Sequence, residues 1–514
     1  MKNYIMKLKF LTVIYCIIAL SLTGCFLKKS SSSNVSETTG WKYNDSKYGG
    51  FEVLTPRKQA TAPGLVFIEG GLYVMGRVME DLGYTNNNTP RRVTVDSYYI
   101  DETEVRNVDY RQYIHWLRRT YVSYPNVVLN ALPDTLVWRS PMSFNEPMVE
   151  TYYQHVSFDN YPVVGVTWRQ ASDYCLWRTD RVNELQLVKK GVLKLDLTTQ
   201  KDDNNFNTDA YLAGQYEGTV NKGLKDISSD DKGATRKVKM SDGILFSKYR
   251  LPTEAEWEFA ASGLIGVTEN ERITERKVYP WTGGSARSSA KKTRGQMMAN
   301  FQRGKGDLMG VAGAANDGFA TPAPVRSFLP NDYGLYCMAG NVNEWVLDVY
   351  RPLSYSDMDE FRPFRGNVYT GLSVDEEGKP VTKDQYGRMV LDTIGYTPDR
   401  LNYQTGDLRN YKDGDYQSLM ADISAIDNPE ALSKTSDMYY QGEGELGRGR
   451  SSLISDKSRV YKGGSFLDRA YWLSPSTRRF LDEDKSACDI GFRCAMNMVG
   501  TRTDQIAAGK KRKK

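Results

Sequence analysis

The stretch KGGSFLDRAYW runs from Lys462 to Trp472, and CDIGFRCAM follows from Cys488 to Met496. Between Ser465 and Ala487 there is no cysteine. Both motifs have the character of fixed landmarks. Whether the stretch between them carries chemistry depends on what stands upstream.

Working towards the N-terminus, local patterns mark the helices and strands. In LPTEAEWEFAASG (Leu251 to Gly263), Thr253 and Glu256 are spaced as a capping box, and Gly263 is a stop signal. Thr167 and Gln170 open a second helix in the same way. NVDYRQYIHWLRR places Tyr110, Ile114 and Leu117 on one helical face, with Asn107 available as a cap. RRVTVDSYYID (Arg91 to Asp101) alternates as a strand, and GLVFIEGGLYVMG (Gly64 to Gly76) reads as two short strands around Gly70-Gly71. Two stretches look inserted. Residues 179–247 begin as a helical extension and turn polar, and residues 351–457 are longer and polar throughout. Irregular stretches of this length are usually functional or mobile, so partner contacts are expected there.

The chain has 514 residues, 12% of them aromatic, with 34 Tyr and 44 Gly, which points to a globular protein rich in turns. At the N-terminus Lys2, Lys7 and Lys9 precede an apolar run, Phe10 to Leu22, that is shorter than the roughly 20 residues a membrane span needs. The run ends in Leu22-Thr23-Gly24-Cys25, the pattern of a bacterial lipoprotein box. The expected organisation is a signal peptide over 1–24, a lipidated Cys25, a polar tether over 25–61, a main domain over 62–498 and a disordered basic tail over 499–514. Phe26, rather than aspartate, after Cys25 favours the outer membrane, with the protein facing the periplasm. The formal charge of +5 sits at the ends. Removing the three leader lysines and the five basic residues of 510–514 leaves a body near −3, which argues against nucleic acid as the main partner. No Walker-type or G-x-G-x-x-G loop supports nucleotide binding, and no G-x-S-x-G elbow supports a hydrolase. The two histidines, His115 and His155, lack metal-ligand spacing and read as helix-face and loop residues.

In order along the chain, GLVFIEGGLYVMG, VTVDSYYIDETEVRNVDY, YPVVGVTWRQASDYCLW, YRLPTEAEWEFAASG, YGLYCMAGNVNEWVLD, RVYKGGSF and GFRCAM resemble the formylglycine-generating-enzyme (sulfatase-modifying factor) family. The resemblance covers roughly residues 62–350 and 458–497. It implies an α+β fold related to C-type lectins, with short sheets, few helices and much irregular backbone. Within the family, the lipoprotein start and the phrases TTGWKYNDSKYGGFEV, LPDTLVWRSPMSFNEPM and WRTDRVNE are similar to gliding-motility lipoproteins of Bacteroidota, with a type IX secretion lipoprotein as a sister.

The family's enzymes hold copper(I) on two closely spaced cysteines that follow the GGS landmark, as soft thiolates suit that ion. Here Asp468 stands near the first position and Trp472 or Leu473 near the second, so no copper is expected. The resemblance also implies a structural Ca²⁺ held by Asn300, the Phe301 carbonyl, Asp317 and the Phe319 carbonyl. A second set would be the Gly340 and Val342 carbonyls with Glu344, but its fourth ligand position holds Cys337. It further implies a disulfide between Cys175 and Cys494, which leaves Cys337 and Cys488 with no assigned pairing. Trp168, Trp257 and Trp345 are expected in the core.

These readings lead to a catalytically inactive, lipid-anchored scaffold that supports gliding motility or type IX secretion. Its expected partners are the ring lipoprotein and associated envelope proteins. Two alternatives stay open. One is a lectin-like or peptide-binding module in the former active-site cleft, using Asp468 and Tyr471. The other is a maturase or oxidase acting on exported proteins through Cys337 or Cys488.

Overall fold

The computed structural model describes residues 34–54, 59–77, 88–229, 231, 233–263, 277–281, 283–304, 317–350, 364, 366, 370–393 and 457–500. The signal segment 1–24, Cys25, residues 501–514 of the basic tail and most of the insertion at 351–457 lie outside them. The chain divides into two compact units. One comprises Lys58–Asn221 with Lys239–Lys514, and a smaller one comprises Met1–Arg57 with Lys222–Val238.

The first strands are β1 (Leu65–Ile68), β2 (Gly71–Met75), β3 (Arg91–Val95) and β4 (Tyr98–Asp101). The break at Gly70 separates β1 from β2, yet the two do not pair with each other: β1 runs antiparallel to β4, and β2 to β3. Gly70 packs on the bend after β3, where a Cβ would stand 2.3 Å from the Val95 carbonyl oxygen. RRVTVDSYYID alternates as one strand in sequence but is split at that bend, and its halves enter different sheets. The physical reason lies in burial. All four residues of β4 are buried, so both its faces are covered, while β3 keeps an alternating pattern.

The helices that follow are α1 (Asn107–Thr120), α2 (Pro125–Ala131), α3 (Glu146–Thr151), α4 (Trp168–Lys189) and α5 (Thr208–Leu212). Helix α1 buries Tyr110, Ile114 and Leu117, as its spacing predicts. Asn107 is not its cap, a place taken by Arg106. The Asn107 amide is instead buried and donates to the Tyr152 and Phe158 carbonyls at 3.1 and 3.0 Å, bracing the helix start against the following loop. Helix α4 starts at the Thr167/Gln170 capping box and continues as the helical part of the first insertion. The rest of that insertion is divided between the units. In the smaller one, β5 (Leu224–Lys225) pairs with β6 (Thr235–Arg236), and Arg236 donates to Glu52 at 3.0 Å. Residues 34–54, inside the stretch read as a tether, are therefore folded.

Strand β7 (Tyr249–Arg250) leads into α6 (Glu254–Ser262), which has the Thr253/Glu256 capping box and closes on Gly263 at φ 56°. Then come β8 (Asn343–Val349), β9 (Thr370–Leu372), β10 (Leu391–Thr393), β11 (Ser458–Lys462), β12 (Arg479–Asp482), β13 (Ile490–Phe492) and β14 (Ala495–Asn497). Two four-stranded sheets organise the larger unit: β1-β4-β14-β7, and β12-β11-β8-β13, in which β13 is parallel to β8. The GFRC motif crosses from one sheet to the other at Arg493 and Cys494. Tyr110 stacks on Tyr174 at 5.6 Å in a core that also holds Tyr113 and Phe492. Trp257 and Trp345 are fully buried, and the half-buried Trp168 donates to the Val346 carbonyl at 2.8 Å. This is the α+β fold of short sheets, few helices and irregular backbone that the resemblance implies.

Candidate functional site

Strand β11 ends at Lys462, and Gly463 and Gly464 turn the chain at φ 105° and 72°. A side chain at Gly464 would place its Cβ 2.8 Å from the Trp472 carbonyl oxygen, so the turn needs glycine for space as well as for backbone angle. The turn delivers Ser465 to Asp468. The Asp468 carboxylate accepts from the Ser465 N–H at 2.9 Å and from its hydroxyl at 2.8 Å. It is also gripped by the Arg479 guanidinium, from the first residue of β12, at 2.7 and 2.6 Å.

Asn343, the first residue of β8, completes this knot. Its amide donates to Asp468 at 3.2 Å and to Asp489 at 2.9 Å, and its carbonyl accepts from Arg479 at 2.6 Å. Arg479 lies over the rings of Tyr461 and Trp472, at 4.9 and 4.4 Å, and Tyr471 stands edge-on to Trp472. Burial alone would raise the Asp468 carboxyl. The hydrogen bonds and charge of Arg479, with help from Ser465 and Asn343, outweigh it and hold the group below its ordinary value. Asp489 moves the other way, raised by burial and by the Asp468 charge.

At the second position of the expected copper pair, Leu473 is fully buried in an apolar cluster with Ala299, Phe301 and Ala339. The site therefore offers a carboxylate already paired with a guanidinium and an aliphatic side chain. It does not fit copper(I), which takes soft thiolate ligands. The nearby thiols do not substitute. Cys488 is pushed up to about 11 by burial and by Asp489, and the buried Cys337 is raised by burial and by Glu104, which disfavours the thiolate form that copper(I) takes as a ligand.

The expected calcium ligands divide into two cases. Asn300 is fully buried, and its side-chain oxygen has no hydrogen-bond partner, although its amide nitrogen donates to the Thr321 carbonyl at 2.9 Å. Asp317 is drawn alongside by the Phe301 and Phe319 N–H groups at 2.9 and 3.0 Å. An orphaned buried oxygen beside a carboxylate suits a hard cation. Asn300, Phe301, Asp317 and Phe319 would hold Ca²⁺, which would pin two loops that lack ladder hydrogen bonds. The second set does not fit. Glu344 is fully buried and uses both oxygens, accepting from Arg493 at 2.6 and 2.6 Å and from the Trp257 indole at 2.7 Å. With Cys337 beside it in place of an oxygen donor and Arg493 already neutralising Glu344, the Gly340, Val342 and Glu344 set does not fit a cation. Among the described residues no three His, Cys, Asp or Glu side chains converge as a metal cluster.

Cys175 and Cys494 are both buried, with their sulfurs 3.4 Å apart as free thiols. His115 is exposed on α1, and His155 caps a turn by accepting from the Ser157 N–H at 3.2 Å. The sequence reading missed Arg479, Asn343 and Asp489. The signal that could have found them is charge: an aspartate in place of a thiolate needs a cation, and Arg478 and Arg479 lie close downstream. It also missed Lys462, which is fully buried and reaches Glu258 at 2.7 Å and Glu254 at 3.3 Å. Arg478 joins Glu254 at 3.0 Å. Burial works against the Glu254 charge, yet Arg478, Lys462 and Arg91 together hold its carboxyl down to about 2. This network fastens the GGS turn to helix α6.

The sulfatase-modifying factor enzyme 1-like domain matches residues 50–498. The formylglycine-generating enzyme of Mus musculus is 24% identical over 364 residues, covering 66% of this chain and 72% of that protein. The bovine enzyme is matched over 62% of its length. The protein called inactive C-alpha-formylglycine-generating enzyme 2 of Mus musculus is 25% identical over 324 residues, covering 58% of this chain and 73% of that protein. Among solved structures, PvdO from Pseudomonas aeruginosa covers 86% of this chain and 100% of its own, with 12% identity and a TM-score of 0.41. The chain belongs to the sulfatase-modifying factor family, which holds both formylglycine-generating enzymes and a relative named as inactive.

Proposed function

We propose that this protein is a non-catalytic scaffold lipoprotein, anchored through Cys25 in the outer membrane and supporting gliding motility or type IX protein secretion by contacts with other envelope proteins. The observation that carries the non-catalytic part is the Asp468–Arg479 ion pair. It fills the place where a copper-dependent relative needs a thiolate. The remainder rests on the lipoprotein box and on the phrases similar to the gliding-motility lipoprotein GldJ, whose sister is the secretion-ring lipoprotein PorK/GldK. A structural Ca²⁺ at Asn300 and Asp317 belongs to the same proposal. No described helix is long and apolar enough to cross a membrane.

The test is crosslinking in intact cells, with mass spectrometry of the purified protein, alongside deletion of its gene. Crosslinks from residues 179–247 or 351–457 to secretion-ring components, with loss of cargo secretion on deletion, support the proposal. Normal cargo secretion and normal ring assembly without the gene would overturn it.

A further inference from the structure

The smaller unit carries apolar side chains that its own packing leaves outside. Between Asn34 and Leu54 six of them are exposed: Val35, Trp41, Tyr48, Phe51, Val53 and Leu54, with Trp41 at 59% and Phe51 at 66%. Single exposed apolar residues are ordinary on a protein surface. Six within so short a stretch, three of them aromatic, mark a contact surface.

The backbone holds these rings in place. Val35 and Lys42 form an antiparallel bridge, flanked by hydrogen bonds from the Ser36 N–H to the Trp41 carbonyl at 2.8 Å and from the Tyr43 N–H to the Asn34 carbonyl at 2.6 Å. Trp41 and Tyr43 stand either side of Lys42 in this extended stretch, so their side chains leave the backbone on the same side. Trp41 meets Tyr48 edge-on at 5.7 Å, and Tyr43 meets Phe51 at 5.8 Å. Asn44 closes the loop between them. Its N–H donates to the Phe51 carbonyl at 2.9 Å, and its side chain donates to the Val53 carbonyl at 3.0 Å and accepts from the Val53 N–H at 2.8 Å. Gly50, at φ 65°, lies against the second segment of the unit, where a Cβ would stand 2.5 Å from the Ile227 carbonyl oxygen. Charge does not choose what covers the rings, since Lys42 and Lys47 are offset by Glu37 and Asp45 in the same stretch. Position along the chain does. Only residues 26–33 lie between Cys25 and Asn34, and so short a segment reaches at most about 30 Å.

We infer that the smaller unit seats on the bilayer that holds the Cys25 lipid, with Trp41, Tyr48 and Phe51 at the depth of the lipid headgroups. Tryptophan and tyrosine are favoured at that depth, where the apolar body of the ring leaves water and its N–H or O–H keeps polar partners. The anchor makes this seating intramolecular, so an apolar area too small to hold a free protein on a membrane is sufficient here. The inference rests on the lipid anchor of the scaffold reading. It adds which part of the chain meets the membrane and does not depend on the protein partners.

The test uses the processed protein, purified from cell membranes and reconstituted into vesicles of phosphatidylethanolamine and phosphatidylcholine, with or without bromine on the phosphatidylcholine acyl chains. Bromine quenches tryptophans that lie close to the acyl chains. The parent loses, in brominated vesicles, about the share of emission that one of its nine tryptophans contributes, and Trp41→Phe, which keeps an aromatic ring, loses none. Phe51→Glu lowers the quenching of Trp41 by about half. Both positions are exposed, so melting curves unchanged from the parent confirm that each variant folds. Equal quenching of the parent and Trp41→Phe overturns the inference, and it is the result expected if an apolar face of a partner protein covers these rings instead. Quenching of Trp41 that Phe51→Glu leaves intact overturns it too. The mass of the N-terminal peptide separates the two readings. Acyl groups on Cys25 without quenching of Trp41 overturn the seating alone, whereas Cys25 without acyl groups overturns the anchor and the seating with it.

Discussion

Asp468 accepts four hydrogen bonds from Ser465 and Arg479 and one from Asn343, so its negative charge is spent inside the protein. Asp468→Ala leaves Arg479 largely buried without its carboxylate, and it should cost about 2–3 kcal/mol in urea unfolding. Replacing both partners, as Asp468→Ala with Arg479→Met, should recover part of that loss, since no uncompensated charge then remains. Glu104 gives a prediction in pH. Its folded carboxyl sits at about 8 against an ordinary 4.5, so the folded state holds the proton more tightly than the unfolded one. Stability from this group is complete below about pH 4.5 and is lost as pH rises through 8. The parent protein should therefore lose stability between pH 5 and 8 relative to Glu104→Gln, by a few kcal/mol at most, in denaturation curves at the two pH values. At this scale the absent thiolate was plain in the sequence. The clamp on Asp468 was not, because Arg479 lies eleven residues on, across irregular chain that no periodicity describes.

Helix starts were the most legible elements. Thr167 with Gln170, and Thr253 with Glu256, form reciprocal hydrogen bonds that depend only on residues three apart. Strand partners were not legible, because pairing is set by which faces the rest of the chain covers. The GLVFIEGGLYVMG stretch contains both β1 and β2 but gives no sign that each pairs elsewhere. Element stability should follow the same division. Thr253→Ala should cost about 1 kcal/mol, a local loss. Gly464→Ala should cost more, because it imposes a Cβ at φ 72° against the Trp472 carbonyl. Unfolding curves of the two variants compare them directly, and equal costs would contradict this account of the GGS turn.

For the molecule as a whole, the order of seven motifs was enough to identify the frame, since each marks a piece of core or turn. The smaller unit was not foreseen, because it combines residues near the N-terminus with 222–238, segments that look like a tether and an insertion when read separately. Calcium belongs to this scale too. Adding Ca²⁺ should raise the melting temperature and EDTA should lower it, and Asn300→Ala should abolish both effects. Unchanged melting in EDTA would mean that the orphaned Asn300 oxygen serves no cation.

The most direct measurement is oxygen consumption by the purified chain, supplied with copper(I) and a cysteine-containing peptide. The account predicts a rate no higher than that of copper and peptide without protein, and the same rate for Asp468→Ala and Cys488→Ser. A protein-dependent, copper-dependent rate that either substitution removes would contradict it.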